Sequence, residues 1–270
     1  MFGMKIGKFG FYIAGAMVMA VLPVSVTSAE LVPHRALYSL SLGKSDSSGR
    51  FVSVGGAVKT MLEKTCDAWI TAEQIIMQVD TQVGGQLRQN LKFTGWESLD
   101  GREYRFAARS KTNFESKRFK GNARSDPKRP GKAVYSLPKK ITMELPPDTH
   151  FYFGLTSWLI ERAKAGASRA ETVVFDGTDE EGPQRAVAFI VPLRKNVAKT
   201  EFDLGPLLKR PGWNMRIAFF QIDSLAAAPD YEVQAIILDN GVTPKLELVF
   251  TGFTAIQKLE KIEALDFPKC

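Results

Sequence analysis

After residue 34 the apolar positions recur with a period of two. Ala36, Tyr38, Leu40 and Leu42 alternate with Leu37, Ser39 and Ser41, and Val52, Val54 and Gly56 interleave with Phe51, Ser53 and Gly55. Trp69-Ile70, Ile75 to Met77 and Val79 mark a further extended run, and Leu91, Phe93 and Gly95 another. Leu99-Asp100-Gly101 reads as a turn before Tyr104 to Ala108. Val173 to Phe175, Val187 to Val191, Met215 to Ile222, Tyr231 to Leu238 and Leu246 to Phe250 continue the series. Each run is short, β-branched or aromatic, and bounded by Gly, Pro, Asn or Asp, which is the signature of strands. Asp239-Asn240-Gly241 between two such runs predicts a hairpin, with positive φ expected at both central turn positions. A spacing of roughly ten residues per strand and turn predicts about a dozen strands and leaves no room for βαβ crossovers. So long an antiparallel sheet accumulates twist and has to curl.

One segment departs from this rhythm. Phe151, Leu155, Trp158, Leu159 and Ala163 fall on one face of an α-helix. Asp148 or Thr149 is placed to cap its start, and Gly166 to stop it. The stripe suits packing on a sheet, with a lipid-seeking surface as the other option. Ile256 to Leu265 fits either a strand or a short helix. The fold expected is therefore all-β, one long antiparallel sheet curled into a spiral or two half-barrels, with one amphipathic helix.

The first thirty residues change where this fold is expected to reside. Lys5 and Lys8 precede the uncharged apolar run Phe9 to Leu22, and Thr27-Ser28-Ala29 supplies small residues for cleavage. That is a secretory signal peptide, residues 1–29, followed by a single β-spiral domain over residues 30–270. The run is short for a membrane span, so no stable membrane anchor is expected after cleavage. Of the 36 Lys plus Arg and 29 Asp plus Glu, only Lys5 and Lys8 leave with the leader, so the net charge falls from +7 to +5. In the periplasm expected from this signal, the only two cysteines, Cys66 and Cys270, are expected to pair as one structural disulfide.

Candidate chemistry is sparse. No G-x-S-x-G, H-E-x-x-H, S-x-x-K or G-x-x-x-x-G-K-[ST] motif occurs. A Ser-His-Asp triad has only His34 and His150 to draw on, and His150 at the helix start fits a structural role. The acidic stretch Asp176 to Gly182 lacks calcium-loop spacing and reads as a hairpin turn kept soluble by its charges. No catalytic residue, metal or cofactor is assigned. The strongest charge feature is Arg102 to Lys132, with 11 Lys plus Arg against three acids and Phe106, Phe114 and Phe119 between them. Nucleic acid is the usual partner of such a stretch, but an exported protein meets none. Its candidate partner is an anionic envelope surface, contacted by Lys117, Arg118, Lys120 and Arg124. The alternative is a solvated sheet face whose cations block edge pairing.

Several phrases occur together: P-H-R-A-L-Y at Pro33–Tyr38, F-D-G-T-D at Phe175–Asp179 and W-N-M-R-I-A-F-F at Trp213–Phe220. D-N-G-V at Asp239–Val242, L-E-L at Leu246–Leu248, Phe253-Thr254, K-L-E-K-I-E at Lys258–Glu263 and the terminal cysteine follow. This pattern resembles the EipB-like family of periplasmic cell-envelope-integrity proteins of alphaproteobacteria. The resemblance spans nearly the whole chain after the leader. It implies an open β-spiral tied by one disulfide, a role in maintaining the envelope under stress with no established catalytic activity, and a periplasmic partner protein of helical-repeat type. The helix reads F-Y-F-G-L-T-S-W-L-I-E, without the Pro and His of the F-P-x-x-H-T version associated with the family. The function expected is non-catalytic maintenance of envelope integrity by binding envelope components or a partner. A carrier or chaperone for lipid or lipoprotein is the second reading and an envelope hydrolase the third.

Overall fold

The computed structural model describes residues 31–46, 50–113, 115–194, 205–222, 224–250 and 252–270. The leader expected over residues 1–29 lies outside them. The chain forms β1 (His34–Ser45), β2 (Phe51–Lys64), β3 (Ala68–Thr81), β4 (Gln86–Ser98), β5 (Glu103–Thr112), β6 (Glu115–Arg124), β7 (Gly131–Leu137), β8 (Ile141–Leu145) and the two-residue β9 (His150–Phe151). The helix α1 (Tyr152–Lys164) follows, then β10 (Arg169–Phe175), β11 (Gln184–Pro192), β12 (Gly212–Gln221), β13 (Tyr231–Leu238), β14 (Lys245–Phe250) and β15 (Phe253–Ala264). All fifteen strands belong to one sheet, ordered β8 to β1 in reverse, then β15 down to β9. Every neighbouring pair is antiparallel except β9 with β10.

The topology makes the curl visible. β8 and β9 are the two edges of the sheet, yet only residues 146–149 join them. Strands remote in the sheet order also share cores. Trp69 of β3 and Leu62 of β2 pack with Leu159 and Ile160 of α1 and with Ile190, Met215 and Ile237 of β11 to β13. Tyr104, Phe106 and Tyr135 of β5 and β7 pack with Phe151 and Phe175 of β9 and β10. A third cluster lies between β1, β2 and β3 on one side and β13 and β15 on the other. The alternating residues of the inner face supply these cores, as a half-buried antiparallel sheet requires.

Several elements differ from the sequence expectation. Fifteen strands replace about a dozen: the Lys and Arg of the basic segment hide the apolar beat of β6, and the short β7, β8 and β9 follow between that segment and the helix. Ile256 to Ala264 belongs to a strand, β15, and Leu265 follows its end. The helix begins at Tyr152, with no side-chain cap from its own flank. Thr149 Oγ1 instead donates to the Pro146 carbonyl at 2.7 Å. The expected stop holds: Gly166 has φ +81°, and its N–H donates to the Ala163 carbonyl at 3.0 Å. At the β13–β14 hairpin only Gly241 has positive φ, at +84°. Its N–H bonds the Leu238 carbonyl at 2.9 Å, giving a three-residue loop closed by a left-handed glycine. Asn240 is freed to donate from its side chain to the Leu207 carbonyl at 2.9 Å.

Candidate functional site

The basic segment folds into β5, β6 and β7, and strand periodicity sorts its charges. Tyr104, Phe106 and Ala108 of β5 and Phe119 and Ala123 of β6 face inward and are buried. Arg105 and Arg109 of β5, and Arg118, Lys120 and Arg124 of β6, alternate with them onto the outer face. Lys117 has the parity of Phe119 and so lies on the other side of the strand, where its ammonium pairs with Glu115 at 3.1 Å. The four cations singled out in sequence therefore do not form one surface. Arg124 is neutralised by Glu103. Arg118 and Lys120 remain on the outer face without an ion pair among the described residues.

The register adds neighbours that sequence reasoning missed. Lys92 of β4 stands opposite Arg109, and Arg109 opposite Arg118. None of the three has an ion pair among the described residues. Cations directly opposite across strands repel by about 0.2–1 kcal/mol a pair, so the row costs the bare protein stability. One register step away lie Thr94, Ala107 and Lys120, and a further step away Trp96, Arg105 and Asn122. Here the Arg105 guanidinium covers the Trp96 ring at 4.4 Å from its centroid. The outer surface dips at this point into a groove of about 630 Å³, whose lining includes Ile70, Trp96, Arg105, Ala107 and Lys120. The row and the groove together form a cationic track beside a partly apolar trough. Lys120 was singled out in sequence, and Arg105 and Arg109 were within reach as part of the basic segment. Lys92 and Trp96 lie upstream of it, and only strand pairing brings them there.

A second polar site lies where α1 meets β4. Glu97 sits on the inward parity of β4 and is 3% exposed. Its Oε2 accepts the Phe153 N–H at 3.0 Å, and it also accepts the Gly154 N–H, so a strand carboxylate caps the helix from across the core. Gly154 permits the approach, since a Cβ there would lie 2.6 Å from Glu97 Oε1. Burial outweighs these bonds and pushes the Glu97 carboxyl up to about 7. Nearby, the His150 ring packs on Trp158 at 5.3 Å, and its buried Nε2 has no hydrogen-bond partner among the described residues. Burial lowers the His150 pKa. A pocket of about 340 Å³ at this junction is lined by Glu97, His150, Ser157 and Trp158 among others. Further along the inner face, the Tyr152 hydroxyl donates to Glu73 Oε2 at 2.8 Å, and burial raises the Glu73 pKa.

The acidic stretch also has a fuller role than a soluble turn. The Asp176 carbonyl accepts from the Tyr104 hydroxyl at 2.9 Å, and the Asp179 carbonyl from the Tyr135 hydroxyl at 2.6 Å. The β10–β11 loop is thereby docked on the aromatic core of β5 and β7. Cys66 and Cys270 are joined in a disulfide with Cα atoms 5.7 Å apart. No group of three His, Cys, Asp or Glu among the described residues is placed to hold a metal ion.

Comparison with known proteins gives a consistent picture. The model of the EipB-like family matches residues 26–266. A curated relative, the cell envelope integrity protein EipB of Brucella abortus (strain 2308), is 28% identical over 253 residues, covering 91% of this chain and 88% of its own. A solved structure from Brucella abortus, described as a beta-barrel-like protein of a domain of unknown function, matches with a TM-score of 0.80 at 24% identity. That match covers 88% of this chain and 99% of the other. At this identity it speaks for the fold.

Proposed function

The chain belongs to the EipB-like family, and from that premise we propose that it is an exported, non-catalytic protein that maintains the integrity of the cell envelope by holding an anionic envelope component on the outer face of β4 to β6. The name of the Brucella relative supports the envelope role. The N-terminal leader pattern and the disulfide support a periplasmic location. The observation that carries the binding reading is the row Lys92–Arg109–Arg118 with Lys120 and Arg105 beside it, a set of cations on one face with no carboxylate paired to any of them among the described residues. Co-sedimentation with vesicles of anionic lipid and with purified peptidoglycan, at low and physiological salt, tests it. Binding is expected to weaken as salt rises, because exposed charges are screened beyond about 8 Å at physiological ionic strength. Wild-type protein that stays in the supernatant with every surface at low salt rules the reading out.

A carrier for lipid or lipoprotein is a second reading, supported by one feature of the interior. Tyr152 shares the inner side with the buried Phe93, its ring 5.0 Å away, yet remains 37% exposed. The curl therefore encloses accessible space beside apolar walls. Native mass spectrometry of protein purified without detergent tests this, and lipid-free protein throughout removes the reading. A helical-repeat partner protein follows by family analogy, and a pull-down from envelope extract is its test.

A further inference from the structure

The geometry points to a lipid head group bearing two phosphates, at a membrane surface, as the ligand of the Lys92–Arg109–Arg118 row. This inference rests on the anionic-component reading above and names the ligand class. Neighbouring strands are about 4.8 Å apart, so the row runs about 10 Å across three strands. Three cations in line make two gaps, and a phosphate seated in each gap touches a cation on either side. Two of the three are arginines, whose planar forks bind phosphate oxygens in pairs. The central Arg109 is shared, so the row is complete only when both gaps are filled. A ligand with one phosphate leaves one repelling pair uncompensated.

The surroundings favour a lipid over a soluble polyanion. On one flank the groove offers Ile70, Ala107 and the Trp96 ring. On the other flank Asn90, Lys111 and Ser116 stand next to the row, and Ile76 of β3, 51% exposed, lies beyond Asn90. Apolar surface on the groove side of a charge row matches a head group that continues into glycerol and acyl chains. A soluble phosphate chain has nothing to place there. Lys120 and Arg105 lie within one and two register steps of the row and add to the attraction of an anionic surface.

The test compares phosphatidylcholine vesicles carrying cardiolipin with vesicles carrying phosphatidylglycerol, matched in total charge. Wild-type protein is expected to bind the two-phosphate vesicles more tightly. The triple variant Lys92→Gln/Arg109→Gln/Arg118→Gln is expected to lose on the order of 100-fold in affinity. It is also expected to melt about 2–4 °C higher, because the repulsion is gone. A solvated face without a ligand gives the thermal gain and no loss of binding. The double variant Lys139→Gln/Lys140→Gln removes charge beside β8 and is expected to bind as wild type. Equal loss in that control makes net charge sufficient and overturns the inference. Equal affinity for both vesicle types overturns the two-phosphate assignment while leaving the anionic-component reading intact. Binding of soluble inorganic pyrophosphate as tight as that of vesicles overturns the lipid assignment, and a triple variant that melts lower overturns the strained row. Failure of wild type on both vesicle types removes this inference; peptidoglycan binding retained in that case leaves the broader reading standing.

Discussion

At Glu97 a carboxylate has been placed where water is not. It was passed over in sequence, although the signal was there: after Phe93 and Gly95 it falls on the inward parity of β4, where an acid on the apolar side of a strand stands out. Its partner was not legible, since the amides it accepts belong to α1, more than fifty residues away. The raised pKa makes a linkage prediction. The folded protein holds the Glu97 proton up to about pH 7, whereas the unfolded chain releases it near the ordinary value of 4.5. Stability contributed by this group is therefore full below about pH 4.5 and is lost as pH rises to about 7. Glu73 and Asp176, also raised by burial, act in the same direction. His34 and His150, lowered by burial, act oppositely and cost stability as pH falls below their usual value of 6.5. The Glu97 share is isolated by difference. Glu97→Gln keeps an acceptor for the helix amides without the charge, and is expected to gain stability on wild type between pH 5 and 8 by about 1–3 kcal/mol. Urea denaturation at the two pH values measures it, and parallel pH profiles for the two proteins contradict it. Glu97→Ala leaves two amides unsatisfied and is expected to lose about 1–3 kcal/mol at either pH.

Among the elements, α1 was the most legible, because five apolar residues at helical spacing interrupt a period-two background. Its start was placed two or three residues early, because Asp148 and Thr149 look like caps, whereas Phe151 ends β9 and the helix begins at Tyr152. Leu159 and Ile160, 2% and 0% exposed, carry the contact with β10 to β13. Leu159→Ala is expected to cost about 2–5 kcal/mol by denaturant unfolding, whereas Lys164→Ala at the exposed end is expected to lie within about 0.5 kcal/mol of wild type. A small effect at Leu159 would mean the helix sits loosely on the sheet. β6 was the least legible element. Its inward beat is only Phe119 and Ala123, set in a run of Lys, Arg, Ser and Asn. β-propensity does not survive that composition; pairing with β5 along all ten residues decides the conformation instead. The outer cation row was invisible for the same reason, because register places Lys92 beside Arg109 and nothing local announces it.

On the scale of the whole molecule, the length of the sheet announced that it must curl, but not how the curl is fastened. Pro146-Pro147 reads as the rigid approach to a helix, whereas the same four-residue link holds the two edges of a fifteen-stranded sheet together. Beyond that link, the two ends are joined by Glu97 on α1, by the Tyr104 and Tyr135 hydroxyls on the β10–β11 loop, and by side-chain packing. The disulfide works elsewhere. It was legible because the chain has only two cysteines, and it ties residues after β15 to the turn between β2 and β3. There the Lys64 ammonium lies over both Trp69 and Phe267, at 5.5 and 5.7 Å from the ring centroids, so the tail is packed as well as bonded. β15 itself is held by β1 and β14 along its length. Loss of the bond is therefore expected to free the tail and lower stability without unwinding the sheet. Cys66→Ser or Cys270→Ser is expected to cost about 2–5 kcal/mol, a fall in melting temperature of roughly 5–20 °C, with the far-UV circular dichroism at 25 °C unchanged. Reduction of wild-type protein is expected to give the same shift, and protease cleavage after Leu265 is expected to rise in step. A variant that melts within about a degree of wild type would show that β15 pairing and the Lys64 contacts fix the terminus unaided, whereas lost strand signal at 25 °C would make the bond a condition of the fold.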